Sequence, residues 1–281
     1  MRRVRGGTEA GDQVEALVER VRRGLAEAIS SGRDPRLRTV VAVSDCYLVG
    51  SHVHGRAGPG SDLDVLAFPE QAAQIEGVIA PFDTDGRRPG PGQSLDTFAD
   101  VLHWRAEAEL RNLEIEVLDP RARTGREADL ANWAFVLESA RLVHAGWGGG
   151  ERYRAAVAER FAAECPALAT RALVEFQRYR NQAQTTLFHG QPMAIALTSA
   201  LVVRAALRAW LLWAARPLPS DKWLPAVVAG EAGSVPLMTI ADRLLDPSRP
   251  AELRFQDLRT LRQLLDEQVR SAGGDSSGLW K

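Results

Sequence analysis

The stretch Leu48-Val49-Gly50-Ser51-His52-Val53-His54-Gly55-Arg56-Ala57-Gly58-Pro59-Gly60-Ser61-Asp62-Leu63-Asp64-Val65-Leu66 decides the reading of this chain. An apolar, β-branched run ends in Gly-Ser. A glycine-rich loop follows, and a second strand opens with Asp-x-Asp. Side chains two residues apart on a strand share a face, so Asp62 and Asp64 stand side by side while Leu63 and Val65 turn the other way. Two adjacent carboxylates repel, and one of them takes a proton unless a cation intervenes. Hard oxygen donors with no neighbouring cysteine suit Mg²⁺, which keeps sites for water and phosphate oxygens. The Gly-Ser bend offers backbone N–H groups and a hydroxyl, and glycine lets the backbone come close to a phosphate. A helix start after it would add a positive pole. These parts together describe a holder for a metal–triphosphate.

Outward from this segment, residues 9–31 repeat apolar positions at three- and four-residue steps and predict a helix. Residues 38–49 predict one or two strands, 62–68 a strand, and 83–94 a surface loop rich in Gly, Pro, Asp and Arg. Leu113–Leu118 predicts a further strand with Glu114 and Glu116 on one face. Gly148-Gly149-Gly150 reads as a linker. Beyond it almost everything predicts helix: 152–164, 167–188, 192–215, 221–230 and 250–271, then a frayed tail at 272–281. The expected organisation is an α/β (α+β) domain with a mixed sheet over residues 1–147, followed by an all-helical bundle over residues 151–281.

Composition narrows the function classes. The chain has 281 residues, is 45% hydrophobic and 25% charged, and carries 35 basic against 36 acidic residues, a net charge of −1. Such a balance argues against a protein that holds nucleic acid mainly by bulk charge. Cys46 and Cys165 lie far apart with no metal-type spacing and read as free thiols of a reducing compartment. The most apolar stretch, 193–215, contains Arg204 and Arg208, which a membrane span would have to bury; it reads as a buried helix, its arginines pairing with acids such as Asp257 or lining a cleft. No secretory signal follows the basic first residues. The expectation is a cytoplasmic protein with no membrane partner. Of the 35 basic residues only Lys222 and Lys281 are lysine, which makes the internal Lys222 unexpected.

A third carboxylate is needed if a second metal or a base is to activate an attacking hydroxyl. Glu116 is the first choice, and Glu114, on the same face, would also serve. Gly-Ser, a short gap, Asp-x-Asp and a later acid on a neighbouring strand resemble the nucleotidyltransferase superfamily of DNA polymerase beta, matched here by Gly50, Ser51, Asp62, Asp64 and Glu116. The helical half is similar to that of the antibiotic (aminoglycoside and lincosamide) nucleotidyltransferases. In that family a lysine opening a helix after a long apolar one contacts the nucleotide phosphates, and Lys222 in Ser220-Asp221-Lys222-Trp223 matches it.

The resemblance implies transfer of a nucleoside monophosphate, most simply AMP from Mg·ATP or another NTP, to a hydroxyl of a small molecule such as an antibiotic or metabolite. Asp62, Asp64 and Glu116 would hold Mg²⁺, and Gly50, Ser51, Ser61 and Lys222 the triphosphate. Arg56, His52 and His54 are further residues of the phosphate loop; a zinc site is not expected from two histidines alone. Two alternatives stay open: a tRNA or protein acceptor, as in toxin-like members, and a non-catalytic nucleotide-binding protein. Oligomeric state is not readable.

Overall fold

Residues 7–31, 35–57, 61, 63–70, 101–104, 113–117 and 127–278 are described by the structure, a computed structural model. Asp62, the expected loop at 83–94 and the last three residues lie outside the described residues.

The amino-terminal elements are α1 (Gly7–Ser31), α2 (Pro35–Ala42), β1 (Ser44–Val49), β2 (Leu63–Pro69), β3 (Val101–Trp104) and β4 (Leu113–Val117). Then come α3 (Glu127–Ser139) and β5 (Arg141–His144). The helical part comprises α4 (Gly150–His189), α5 (Pro192–Trp213), α6 (Leu224–Ala229), α7 (Val235–Leu245) and α8 (Ala251–Ser271). The chain divides into two units, Met1–Arg126 with Val136–Val157, and Glu127–Phe135 with Ala158–Lys281. The division falls inside α3 and α4. A mixed-sheet α/β part is thus followed by a helical one.

The five strands form one sheet in the order β3-β4-β2-β1-β5. β2 and β4 run parallel, and the other neighbours are antiparallel. Alternation gives the sheet two unlike faces. Cys46, Leu48, Leu63, Val65 and Ala67 pack with Val18, Val21 and Leu25 of α1 and Val40 and Val41 of α2. Each valine or leucine among these removed from water contributes about 1.5–3 kcal/mol. The opposite face carries Asp45, Tyr47 and Val49 of β1 beside Phe68, Leu66 and Asp64 of β2.

Two local expectations give way here. Residues 38–42 are helical, not extended: Pro35 opens α2, and burying Val40 and Val41 against α1 outweighs their β-branched preference. The tri-glycine segment is no open spacer. The Asp45 carboxylate, 1% exposed, accepts four main-chain N–H bonds. Oδ1 takes those of Gly146 (2.9 Å), Trp147 (3.0 Å) and Gly148 (3.0 Å), and Oδ2 that of Gly150 (2.7 Å). A β-carbon on Gly150 would stand 2.7 Å from the Tyr47 ring, so glycine is required for that approach. The Trp147 indole donates to the Phe68 carbonyl at 2.7 Å, closing the same corner.

In the helical unit, the two helices expected over 152–164 and 167–188 are one, and α4 runs unbroken through Pro166. The lost N–H bond is offset by packing: Phe161, Cys165, Leu168 and Ala169 around it are buried, and the Cys165 thiol donates to the Leu212 carbonyl of α5 at 3.3 Å. α5 is long and apolar enough to cross a membrane by length and composition, but most of it is buried within the protein. Its Arg204 donates to Asp221 at 2.8 Å and lies 4.0 Å from Glu175, and Arg208 lies 4.0 Å from Asp221. The expected partner Asp257 instead forms a forked pair with Arg249 of the α7–α8 turn.

Candidate active site

β1 ends at Val49 and the chain turns sharply at Gly50, whose φ of 78° lies in the left-handed region. Antiparallel pairing sets Val49 opposite Asp64, and the half-buried Asp64 carboxylate comes down onto Gly50. A β-carbon at Gly50 would stand 2.0 Å from Oδ2 and 2.9 Å from Cγ of Asp64. Only glycine satisfies both the backbone conformation and this contact.

Ser51–Gly55 forms a single turn in place of the helix start that would have added a dipole. Its closing bonds run from the Arg56 N–H to the Ser51 carbonyl (2.8 Å) and from the Gly55 N–H to the His52 carbonyl (3.2 Å). With Gly55 at φ 64°, this is the six-to-one, five-to-two pattern that ends helices. The His52 Nε2–H donates to the Ser61 carbonyl at 3.3 Å, tying the turn to the residue just ahead of Asp62. His54 Nε2 is 3.1 Å from Ser139 Oγ at the end of α3. Burial, then the nearby Arg56 charge, lowers the His54 pKa.

Strand register sets where Glu114 and Glu116 stand relative to Asp64. In the parallel pair β2–β4, Asp64 is opposite Glu114 and Leu66 is opposite Glu116. Both glutamates occupy register positions on the Asp64 face, and Glu114 is the immediate neighbour. The antiparallel pair β3–β4 sets His103 opposite Glu114. His103 was not singled out in the sequence, because nothing local marks Val101–Trp104 as a strand beside Glu114.

No protein-family model and no curated protein matches the chain. Among solved structures, it is similar to a nucleotidyltransferase-like protein from Exiguobacterium sibiricum 255-15. The identity is 11%, the match covers 90% of this chain and 77% of that one, and the TM-score is 0.46. A likeness of that degree says nothing about the chemistry, which rests on the residues themselves.

The far end of the Asp64 face is closed. The Phe68 ring meets Tyr47 edge-on at 5.5 Å and Tyr153 of α4 at 5.2 Å. The Tyr47 hydroxyl donates to Glu151 at 3.2 Å, and burial followed by that carboxylate pushes the phenol up. Along β2, Asp64 is half-buried whereas Leu66 and Phe68 are buried, so the carboxylate sits where the face opens. Ser51 and Ser61 are half-buried as well.

Lys222 is exposed in the turn before α6, its Nζ 5.3 Å from the centre of the Trp223 ring. Among the described residues no three His, Cys, Asp or Glu side chains form a ready metal cage. Even so, a glycine cradle under an oxygen donor, with a second acidic position next in register, fits a hard divalent cation better than a thiolate or imidazole metal.

Proposed function

We propose that this protein is a nucleotidyltransferase that moves a nucleoside monophosphate, AMP from Mg·ATP, onto a hydroxyl of a small molecule. The observation that carries the reading is the seating of Asp64 on Gly50 with Glu114 next in register. An acidic side chain seated on a tight glycine bend, with a second acidic position opposite it on the neighbouring strand, supports a cation-assisted reading of the bend.

In this reading Asp62 and Asp64 hold Mg²⁺, with Glu114 now preferred over Glu116 as the third acid. An ion bound there would neutralise phosphate charge and lower the pKa of the attacking hydroxyl. Gly50 and Ser51 present main-chain N–H and hydroxyl donors to the phosphates, and Ser61 lines the same turn. Glu114 accepts the acceptor's proton as its oxygen bonds to the α-phosphorus and the bond to pyrophosphate breaks. Lys222 enters as a phosphate contact through the sequence resemblance alone. The β2–β4 register also favours transfer over nucleotide binding without turnover, since a binding protein needs no third acid at that position.

The test is pyrophosphate release from ATP with Mg²⁺ across a panel of aminoglycosides, lincosamides, nucleosides and tRNA. Release with one small-molecule acceptor supports the proposal. Release with tRNA alone shifts the acceptor class, and ATP binding without release under any acceptor leaves the binding reading.

A further inference from the structure

The two imidazoles of the loop do different work. His52 bonds to main chain within the loop's own span. His54 reaches out of it, 85 residues along the chain, to Ser139. The Ser139 hydroxyl also lies 3.4 Å from the Val136 carbonyl, and the hydroxyl and the imidazole can each serve as donor or acceptor in the bond between them. His54 directly precedes Gly55, whose left-handed φ closes the turn, so a tether at His54 acts where the turn would otherwise open. The turn's inner residue is Ser51, directly after the Gly50 cradle of Asp64. Neither His54 nor Ser139 belongs to the acidic set. Both are half-buried.

We propose that His54 is a positioning residue for an oligophosphate site: through Ser139 it holds the Ser51–Arg56 turn closed, so that the main-chain donors after Gly50 are already aimed when a nucleoside triphosphate arrives. The ligand class rests on the nucleotidyltransferase reading; the tether rests on the hydrogen bonds. Pre-organisation of this kind appears in binding affinity, because the turn need not be ordered at the moment of binding. Both partners serve one contact, so their losses are not additive.

The experiment measures, by calorimetry, the affinity of a non-hydrolysable ATP analogue with Mg²⁺ for the wild type, His54→Ala, Ser139→Ala, the double variant and Ser139→Thr. Hydrogen exchange of the Gly55 and Arg56 amides is followed in parallel. Each alanine variant should weaken binding by about three- to tenfold, the range one hydrogen bond gives. The double variant should be no weaker than either single one, and Ser139→Thr, which keeps the hydroxyl, should recover the affinity. The Gly55 and Arg56 amides should exchange faster, while those of Gly146 and Gly148 on Asp45 keep their protection. Unchanged affinity in both single variants, multiplied losses in the double one, or loss of protection at Gly146 and Gly148 as well would overturn the proposal. A wild type that takes up no nucleotide at all overturns the nucleotidyltransferase reading instead.

Discussion

The Asp64 carboxylate rests on the α-carbon of Gly50, so close that a β-carbon there would lie 2.0 Å from Oδ2. One residue's missing side chain is the other's seat, and the two belong to antiparallel neighbours, with Val49 opposite Asp64. Gly50→Ala therefore meets two penalties: a left-handed φ, costing about 1 kcal/mol, and displacement of the carboxylate. The expected result is a modest fall in melting temperature with loss of Mg²⁺-dependent nucleotide binding, seen by thermal unfolding and calorimetry on one sample. Full binding in the alanine variant would mean that the seat is only a packing contact.

Strand register makes the glutamates separable. Glu114 is opposite Asp64 and Glu116 opposite Leu66, so Glu114→Gln should slow pyrophosphate release by about 100-fold or more, the lower range for a proton-transfer group. Glu116→Gln should cost less than about tenfold on the same scale. Steady-state rates of the two variants under one set of conditions decide between them, and the reverse ranking restores Glu116.

The Asp45 cage bears on stability and not on chemistry. Burial alone would raise this carboxyl, but the amides of Gly150, Gly148, Trp147 and Gly146 together hold it below the ordinary value. A folded value below the unfolded one means that the stabilisation is complete above about pH 4 and fades as pH falls through the folded value. Asp45→Asn should lower stability by roughly 3 kcal/mol, the scale of losing charge-assisted bonds. The gap in melting temperature between wild type and variant should stay constant from neutral pH down to about 5 and close below about 4. A gap that widens in acid would refute the assignment.

In the helical unit, Arg254 is 5% exposed. It donates to the carbonyls of Leu244 (2.6 Å), Asp246 and Arg249 (3.0 Å), and to the Ser199 hydroxyl (3.4 Å). It thus satisfies the end of α7, whose last carbonyls have no helical partner. Arg254→Met orphans those oxygens, so denaturant unfolding should show a loss of about 3 kcal/mol, the upper range for a buried polar group left unpaired. A loss under about 1 kcal/mol would mean that water replaces the guanidinium.

How far the sequence could be read follows from the range of each interaction. The Gly50 bend and the strand that carries Asp64 are local features, so both were legible in a single stretch. Which glutamate is Asp64's neighbour was not, because it depends on the offset of two strands some fifty residues apart. The Asp45 cage escaped for the same reason: its donors lie about a hundred residues on, and a glycine run read alone resembles a spacer. Residues 38–42 are helical and α4 is continuous between 164 and 167 because burial against α1 and within the helical unit overrides local preference. Lys222 stood out by composition, and its surroundings, an exposed turn beside Trp223, add nothing that composition had not signalled.

The central claim is that Asp62 and Asp64 grip a divalent ion beside a bend shaped for polyphosphate. It is tested most directly by calorimetric titration of a non-hydrolysable ATP analogue into wild type, Asp62→Asn and Asp64→Asn, each with Mg²⁺ and with excess chelator. The account predicts wild-type binding that requires Mg²⁺ and falls at least about tenfold, or about 1.4 kcal/mol, in either variant with the fold intact by circular dichroism. Binding in Asp64→Asn equal to wild type, or wild-type binding indifferent to Mg²⁺, would contradict it.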